Sequence, residues 1–140
     1  MTNISRYYLV LKNEQKILHK KFKKLVPFLV KVSPDNSSKQ LDSIAKLLLK
    51  YKVNGVIATN TTIDRKGILN SKYSMEEGGL SGAPLNKKST NVIKHLNKCL
   101  NGKIPIIGVG GIITANDGIE KIKNGASLIQ IYTGLTFKVH

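Results

Sequence analysis

The 140-residue sequence predicts an α/β domain built on a parallel sheet. Three observations point there. Short apolar, partly β-branched runs recur four times along the chain. Stretches with apolar residues at helical spacing separate them. Asn-Gly pairs and Ser/Thr/Asn clusters punctuate the boundaries. Strands that are apolar without alternation are buried on both faces, and helical crossovers between them imply parallel pairing.

Each element follows in order. Residues 9–24 read as a basic helix with Leu11, Leu18, Phe22 and Leu25 on one side. Val26-Pro27-Phe28-Leu29-Val30-Lys31-Val32 is the first strand. Residues 33–38 break it and supply turn and N-cap side chains. Leu41, Ile44, Ala45, Leu48 and Leu49 mark the next helix, which Asn54-Gly55 closes with a left-handed cap. Val56-Ile57-Ala58-Thr59 is the second strand. A long loop covers residues 60–86, and loops of that length are functional or disordered. Ser89-Thr90 caps a helix carrying Val92, Ile93, Leu96 and Leu100, ended by Asn101-Gly102. Ile104-Pro105-Ile106-Ile107-Gly108-Val109 is the third strand. Asn116-Asp117 starts a helix with Ile119 and Ile122, closed by Asn124-Gly125. Residues 127–132 form the fourth strand, and residues 136–140 supply no helix after it.

Right-handed crossovers leave two architectures, a doubly wound sheet or a (β/α)8 barrel. Four strands make half of such a barrel, which runs to about 250 residues. Such a half sheet keeps two open, apolar edges, a liability in a free-standing protein. Residues 1–140 are therefore expected to be one portion of a larger domain.

Composition narrows the function. Lys and Arg number 23 against 8 acidic residues, a net charge of +15, which raises nucleic-acid binding. The lysines are spread along the whole chain, however, and Arg6 and Arg65 are the only arginines. Base readout and bidentate phosphate contacts favour Arg. The excess of Lys, Asn and Ile also matches AT-rich coding, so nucleic acid is not the expected partner. Residues 1–6 lack the apolar block of a signal peptide, and no run of eighteen apolar residues predicts a membrane span. One cysteine, Cys99, and scattered His19, His95 and His140 give no metal-ligand spacing; His95 is expected at the surface and Cys99 inert in the core.

In α/β proteins ligands bind beyond the carboxyl ends of parallel strands. Lys31, then Thr59-Asn60-Thr61-Thr62, then Gly108-Val109-Gly110-Gly111, then Tyr132-Thr133-Gly134 occupy those ends. Gly110-Gly111 brings bare backbone N–H groups to one rim, which suits a phosphate, although a glycine pair also serves a tight turn. Lys31 lies within an apolar strand, where its charge calls for a ligand or an ion-pair partner. Asn60 and the threonines beside it offer donors and acceptors to a planar, amide-rich ligand, or to ordinary turns. Glu76-Glu77-Gly78-Gly79-Leu80-Ser81-Gly82 reads as a backbone-lined loop with Ser81 or Gly82 facing a ligand, or as a mobile surface loop.

Four motifs stand in order: residues 57–65 (Ile57 to Arg65), 78–85 (Gly78 to Leu85), 105–112 (Pro105 to Ile112) and 125–132 (Gly125 to Tyr132). Together they resemble the dihydroorotate dehydrogenase family, specifically its quinone-dependent class 2 of bacterial type, over residues 9–140. The resemblance implies an FMN-containing (β/α)8 barrel that oxidises dihydroorotate to orotate in pyrimidine biosynthesis and passes electrons to quinone. It implies FMN contacts from Lys31, Thr59, Gly82, Gly111, Tyr132 and Thr133, with Lys31 near N1 and O2 of the flavin and the last three around the phosphate. Asn60 and Thr61 would bind the substrate. Thr133 stands where a Ser is common, and the hydroxyl is kept. Family members are more than twice as long. Their membrane-docking helices, first barrel strands and catalytic serine lie upstream of the matched region, so no catalytic residue is assigned within residues 1–140. The resemblance further implies a peripheral place on the cytoplasmic side of the inner membrane for the whole enzyme. The segment itself is expected to be soluble and inactive alone. The competing expectations are a flavin-free, phosphate-binding half barrel and a basic nucleic-acid-binding protein.

Overall fold

The structure is a computed structural model, and it describes residues 3–138. Its elements are α1 (Asn3–Phe22), β1 (Leu29–Val32), α2 (Ser38–Lys50), β2 (Gly55–Ala58), α3 (Asn86–Leu100), β3 (Ile106–Val109), α4 (Ala115–Lys123), β4 (Leu128–Gln130) and α5 (Thr133–Lys138). The strands form one parallel sheet in the order β1-β2-β3-β4. That sequential order, with no reversal, is barrel-type winding rather than a doubly wound sheet.

The register explains why the sheet has two unlike faces. Val32 pairs with Ala58, Ala58 with Gly108, and Gly108 with Ile129, so these share one face. Parallel neighbours point the same way, and alternate residues point opposite. On the first face Val32, Val56, Ala58 and Ile106 pack with Leu41, Ala45, Leu48, Val92, Ile93, Leu96 and Leu100 in one core. Burying each large aliphatic side chain there contributes roughly 1.5–3 kcal/mol. Lys31, Ile57, Ile107 and Leu128 share the other face, where Lys31 and Leu128 are exposed. The expected cover on both faces is thus corrected: this core lies on one side, as on the outside of a barrel wall.

Local chemistry accounts for the element ends, and several differ from expectation. Ser37 caps α2 through a reciprocal box with Gln40, as the turn residues predict. The left-handed residue after α2 is Lys52 (φ 48°), not the Asn54-Gly55 pair. Asn54 instead accepts from the Phe28 N–H, and Gly55 opens β2 against the Leu29 side chain. Asn101 does take the left-handed conformation that ends α3. Ser89-Thr90 does not cap that helix. A 3-10 turn at Ala83–Leu85 leads straight into it, and Ser89 is buried inside, donating to the Val109 carbonyl at 2.6 Å. Thr114, not Asn116, caps α4, with Asp117 completing the box. Ile119 and Ile122 are exposed; Gly118 and Lys121 face inward instead.

The first strand is shorter than expected: Pro27 has no N–H to give the ladder, and the Phe28 N–H goes to Asn54 Oδ1 instead. The first helix starts earlier and buries Tyr8, stacked on Tyr51 at 5.5 Å, while its predicted apolar side, Leu11, Leu18, Phe22 and Leu25, is exposed. The short α5 follows β4, where no helix was expected. Within the long loop, Thr62 and Leu80 pair as an antiparallel bridge and a second 3-10 turn spans Lys66–Ile68. No described helix is long and apolar enough to cross a membrane.

Candidate functional site

Parallel strands in register end at one rim, and a cavity of about 260 Å3 sits there. It is lined by all eight residues expected at the site: Lys31, Thr59, Asn60, Thr61, Gly82, Gly111, Tyr132 and Thr133. Ser81 lines it too, whereas Glu76 and Glu77 do not. The loop that carries Gly82 is therefore held at the rim rather than free at the surface.

Each wall has a local cause. Thr59 and Asn60 leave β2 while still held by the sheet. The Thr59 N–H donates to the Val109 carbonyl at 2.9 Å, and the Asn60 N–H to the Val32 carbonyl at 2.7 Å. The Thr61 N–H donates to Asn60 Oδ1 at 2.9 Å, which fixes the amide's orientation. Thr59 is buried, and its hydroxyl donates to the Asn60 carbonyl. Lys31 enters from β1 on the face away from the helices, together with Gln130 of β4, which pairs with Val109.

The glycine corner is a product of packing. Gly111 has φ 70° and lies so close to Asn86 that a Cβ would overlap the Asn86 backbone. Asn86 holds the corner in place. Its Nδ2 donates to the Gly111 carbonyl at 2.8 Å and to Asp117 Oδ1 at 3.0 Å. Asp117 Oδ2 accepts from the Ile113 and Thr114 N–H groups, and the hydrogen bond from Thr114 is the main cause that holds its carboxyl below the usual range. Thr133 Oγ1 donates to Ser81 Oγ at 3.0 Å, joining α5 to the Gly82 loop across the cavity mouth. Tyr132 lines the cavity and is 78% exposed.

A second layer braces the loop after Asn60 and Thr61. Lys88 on α3 donates to Asp35 at 2.5 Å, to Asp64 at 3.2 Å and to Thr62 Oγ1 at 3.2 Å. Burial works against the Lys88 charge, but the hydrogen bonds to Asp35 and Asp64 outweigh it and raise its pKa. Burial likewise pushes the Asp35 carboxyl up, and the Lys88, Thr62 and Ile63 donors bring it below the usual value. Arg65 donates to the Thr62, Glu76 and Gly78 carbonyls, clamping both ends of the segment that the Thr62–Leu80 bridge closes. Gly79 is required here because a side chain would overlap that of Thr61.

Sequence reading missed Asn86, Lys88, Lys121 and Gln130. Lys121 is fully buried and donates to the Asn86 carbonyl, Ser89 Oγ and Thr90 Oγ1 at 2.9, 3.2 and 2.7 Å. Its pKa is lowered to about 8 by burial, which Asp117 partly opposes. Ending β4 at its last paired residue is the signal that finds Gln130; the other three depend on contacts between helices and loops.

A sequentially ordered parallel wall with a cavity at its strand ends, lined by backbone, threonines, an asparagine and one lysine, defines a segment of a (β/α)8-type domain. The family model for dihydroorotate dehydrogenase matches residues 9–139, and the chain belongs to that family. It is 54% identical over 127 residues to the dihydroorotate dehydrogenase (quinone) of Wigglesworthia glossinidia brevipalpis, covering 91% of this chain and 38% of that protein. The protein of the same description from Buchnera aphidicola subsp. Schizaphis graminum matches with the same identity and coverage. Among solved structures, the ligand-free dihydroorotate dehydrogenase of Eimeria tenella superposes with a TM-score of 0.79 at 38% identity, over 83% of this chain and 32% of that one. The ferulenol complex of the Eimeria tenella enzyme gives 0.76 at 39%, over 79% and 29%. The chain thus spans well under half the length of these relatives, and the match lies in their C-terminal part.

Proposed function

We propose that this chain is the part of a quinone-dependent dihydroorotate dehydrogenase that holds one side of FMN and of the dihydroorotate pyrimidine. The observation that carries the reading is the convergence of Lys31, Thr59, Asn60, Thr61, Gly82, Gly111, Tyr132 and Thr133 on one cavity. The cavity's chemistry fits the cofactor. Backbone at Gly110 and Gly111 closes tightly on α3, leaving a side-chain-free wall for a phosphate. FMN, when bound, supplies the acceptor for the hydride equivalent that leaves dihydroorotate.

The chain's own residues do the rest. Gly111 and Thr133 offer N–H groups to the phosphate, and the Thr133 hydroxyl donates to it on turning its proton away from Ser81 Oγ. Lys31 places an ammonium on the open sheet face, where it stabilises negative charge on a reduced ring. Asn60, fixed by the Thr61 N–H, orients the pyrimidine amides, and Thr61 adds a hydroxyl. The proton-abstracting serine is assigned to the region that precedes the match in relatives; Ser81 is tied to Thr133 and Ser89 is buried against Val109. At about 260 Å3 the cavity is smaller than the roughly 300–1,000 Å3 of a complete small-molecule site, in keeping with a cradle that needs an opposite wall. Quinone and the inner-membrane surface belong, on this reading, to the whole enzyme rather than to residues 1–140.

The test is a chimaera in which this chain replaces the matched region of the Wigglesworthia relative. The reading expects a yellow protein that reduces quinone with dihydroorotate. A folded but colourless chimaera would overturn the FMN assignment. A yellow chimaera that turns over no dihydroorotate would overturn the substrate roles of Asn60 and Thr61.

A further inference from the structure

Away from the rim, on the outer side of the helix layer, three different donor groups meet. His95 and Cys99 lie one turn apart on α3, and Asp42 reaches them from α2. His95 Nε2 is 2.8 Å from Asp42 Oδ1, and Cys99 Sγ donates to the same oxygen at 3.4 Å. All three donor atoms lie within 4.8 Å of one another. We propose that Asp42, His95 and Cys99 form a site for a borderline-soft divalent cation of the Zn2+ or Co2+ type.

The donor set argues for that class. One sulfur, one imidazole nitrogen and one carboxylate oxygen suit a tetrahedral Zn2+-like ion. Mg2+ and Ca2+ require a shell of oxygens that these residues do not supply. Metal–ligand distances of about 2.0–2.3 Å put the donors of a tetrahedron about 3.3–3.8 Å apart. The Asp42–Cys99 separation already falls in that range. The Asp42–His95 separation must open by about half an ångström, and the His95–Cys99 separation, at most 4.8 Å, must close by no more than about 1–1.5 Å, from positions the two helices hold. Asp42 is half exposed, which leaves the fourth position to water.

Two other readings fit less well. A plain ion pair between helices needs only Asp42 and His95, and leaves the convergence of the thiol unexplained. A nucleophilic cysteine needs contact with the imidazole and a lowered pKa. Here the thiol contacts the carboxylate, and burial followed by Asp42 raises its pKa. On binding, the thiol proton passes to solvent, the thiolate and neutral imidazole bind the ion, and no electron is transferred. Lys46 acts electrostatically on both Asp42 and Cys99 and so opposes the cation.

Cys99 is the only cysteine, so a thiolate-to-metal charge-transfer band can come from nowhere else in the chain. Titrating the reduced chain with Co2+ is expected to produce that band together with visible transitions of tetrahedral intensity. Cys99→Ser should abolish the band. His95→Gln and Asp42→Asn should weaken binding on the order of tenfold or more, at least what loss of a supporting group costs. Lys46→Gln should strengthen binding, and His19→Gln should leave it unchanged. Circular dichroism checks that each variant keeps its helices, and His95→Gln, which retains the thiol, decides the matter if Cys99→Ser does not. No band at millimolar Co2+, or a band indifferent to His95 and Asp42, overturns the site.

Discussion

Replacing Lys121 by Met should convert a pH-dependent protein into a less dependent one over the alkaline range. Lys121 is buried to 0% exposure, and its ammonium donates to three acceptors on α3. Hydrogen bonds to a charged group contribute about 1.5–3 kcal/mol each, which is how the charge is tolerated. Burial still lowers the folded-state pKa from 10.5 to about 8. Between those values the unfolded chain binds the proton and the folded chain does not, so stability must rise with pH. The contribution is complete above the unfolded value and is lost as pH falls through about 8. One unit is worth 1.36 kcal/mol, which gives about 2–3 kcal/mol between pH 7 and pH 10. Met has similar length and carries no proton. Other titrating groups, such as Tyr8 and Lys88, are common to both proteins and cancel in the difference. Urea unfolding of wild type and Lys121→Met at pH 7, 8.5 and 10 reads that difference directly. It should shift towards the wild type by about 2–3 kcal/mol across the range. A difference that stays flat, or moves the other way, would show that Lys121 is not desolvated as the structure has it.

Three further outcomes concern the rim. Gly111→Ala forces a side chain into the Asn86 backbone at a left-handed φ. That conformation alone costs about 1–2 kcal/mol, so FMN affinity of the chimaera, read by flavin fluorescence, should fall about tenfold or more. Lys31→Met removes an exposed ammonium, so unfolding free energy should change by no more than about 0.5 kcal/mol while flavin reduction by dihydroorotate slows; an unaltered reduction rate in stopped flow removes Lys31 from the chemistry. Asp35→Asn removes the charge that Lys88 pairs with and turns one of the two oxygens that accept from Lys88, Thr62 and Ile63 into an amide donor. Because the Asp35 pKa is held low, its stabilisation is present at neutral pH and is lost as pH falls through that lowered value. Protection of the Thr62 and Leu80 amides, taken relative to the intrinsic exchange rate at each pH, should therefore fall in acid for the wild type and be low already at pH 7 in the variant; equal protection in both would dissociate the network from the loop.

The site was legible in the sequence because of one geometric fact. Parallel strands joined by right-handed crossovers all deliver their carboxyl ends to the same rim. Reading which residues follow each apolar run is then enough to assemble Lys31, Asn60, Gly111 and Thr133 without any knowledge of long-range contacts. Errors of two or three residues in the strands did no harm, since the rim gathers whatever leaves the sheet. The same errors mattered more for the helices. Ser89 and Thr90 have the right chemistry for a cap, but Pro84 had already set the helix going through the 3-10 turn, so the hydroxyl of Ser89 was left to satisfy Val109 from inside.

What stayed hidden depends on how one helix sits against another. Ile119 and Ile122 look like the buried side of α4, and a period-based reading has no reason to prefer Gly118 and Lys121. Packing decides otherwise, because Gly118 lets α4 approach Ile129 and Lys121 finds three oxygens at the start of α3. Asp42, His95 and Cys99 fall under the same rule: 53 and 57 residues separate the carboxylate from its partners, and only the α2–α3 contact joins them. Side chains at a rim are specified by the strand that carries them, whereas side chains between helices are specified by the pair. A single sequence reports the first directly and the second only through the fold, and the buried ammonium and the three-donor cluster both belong to the second kind.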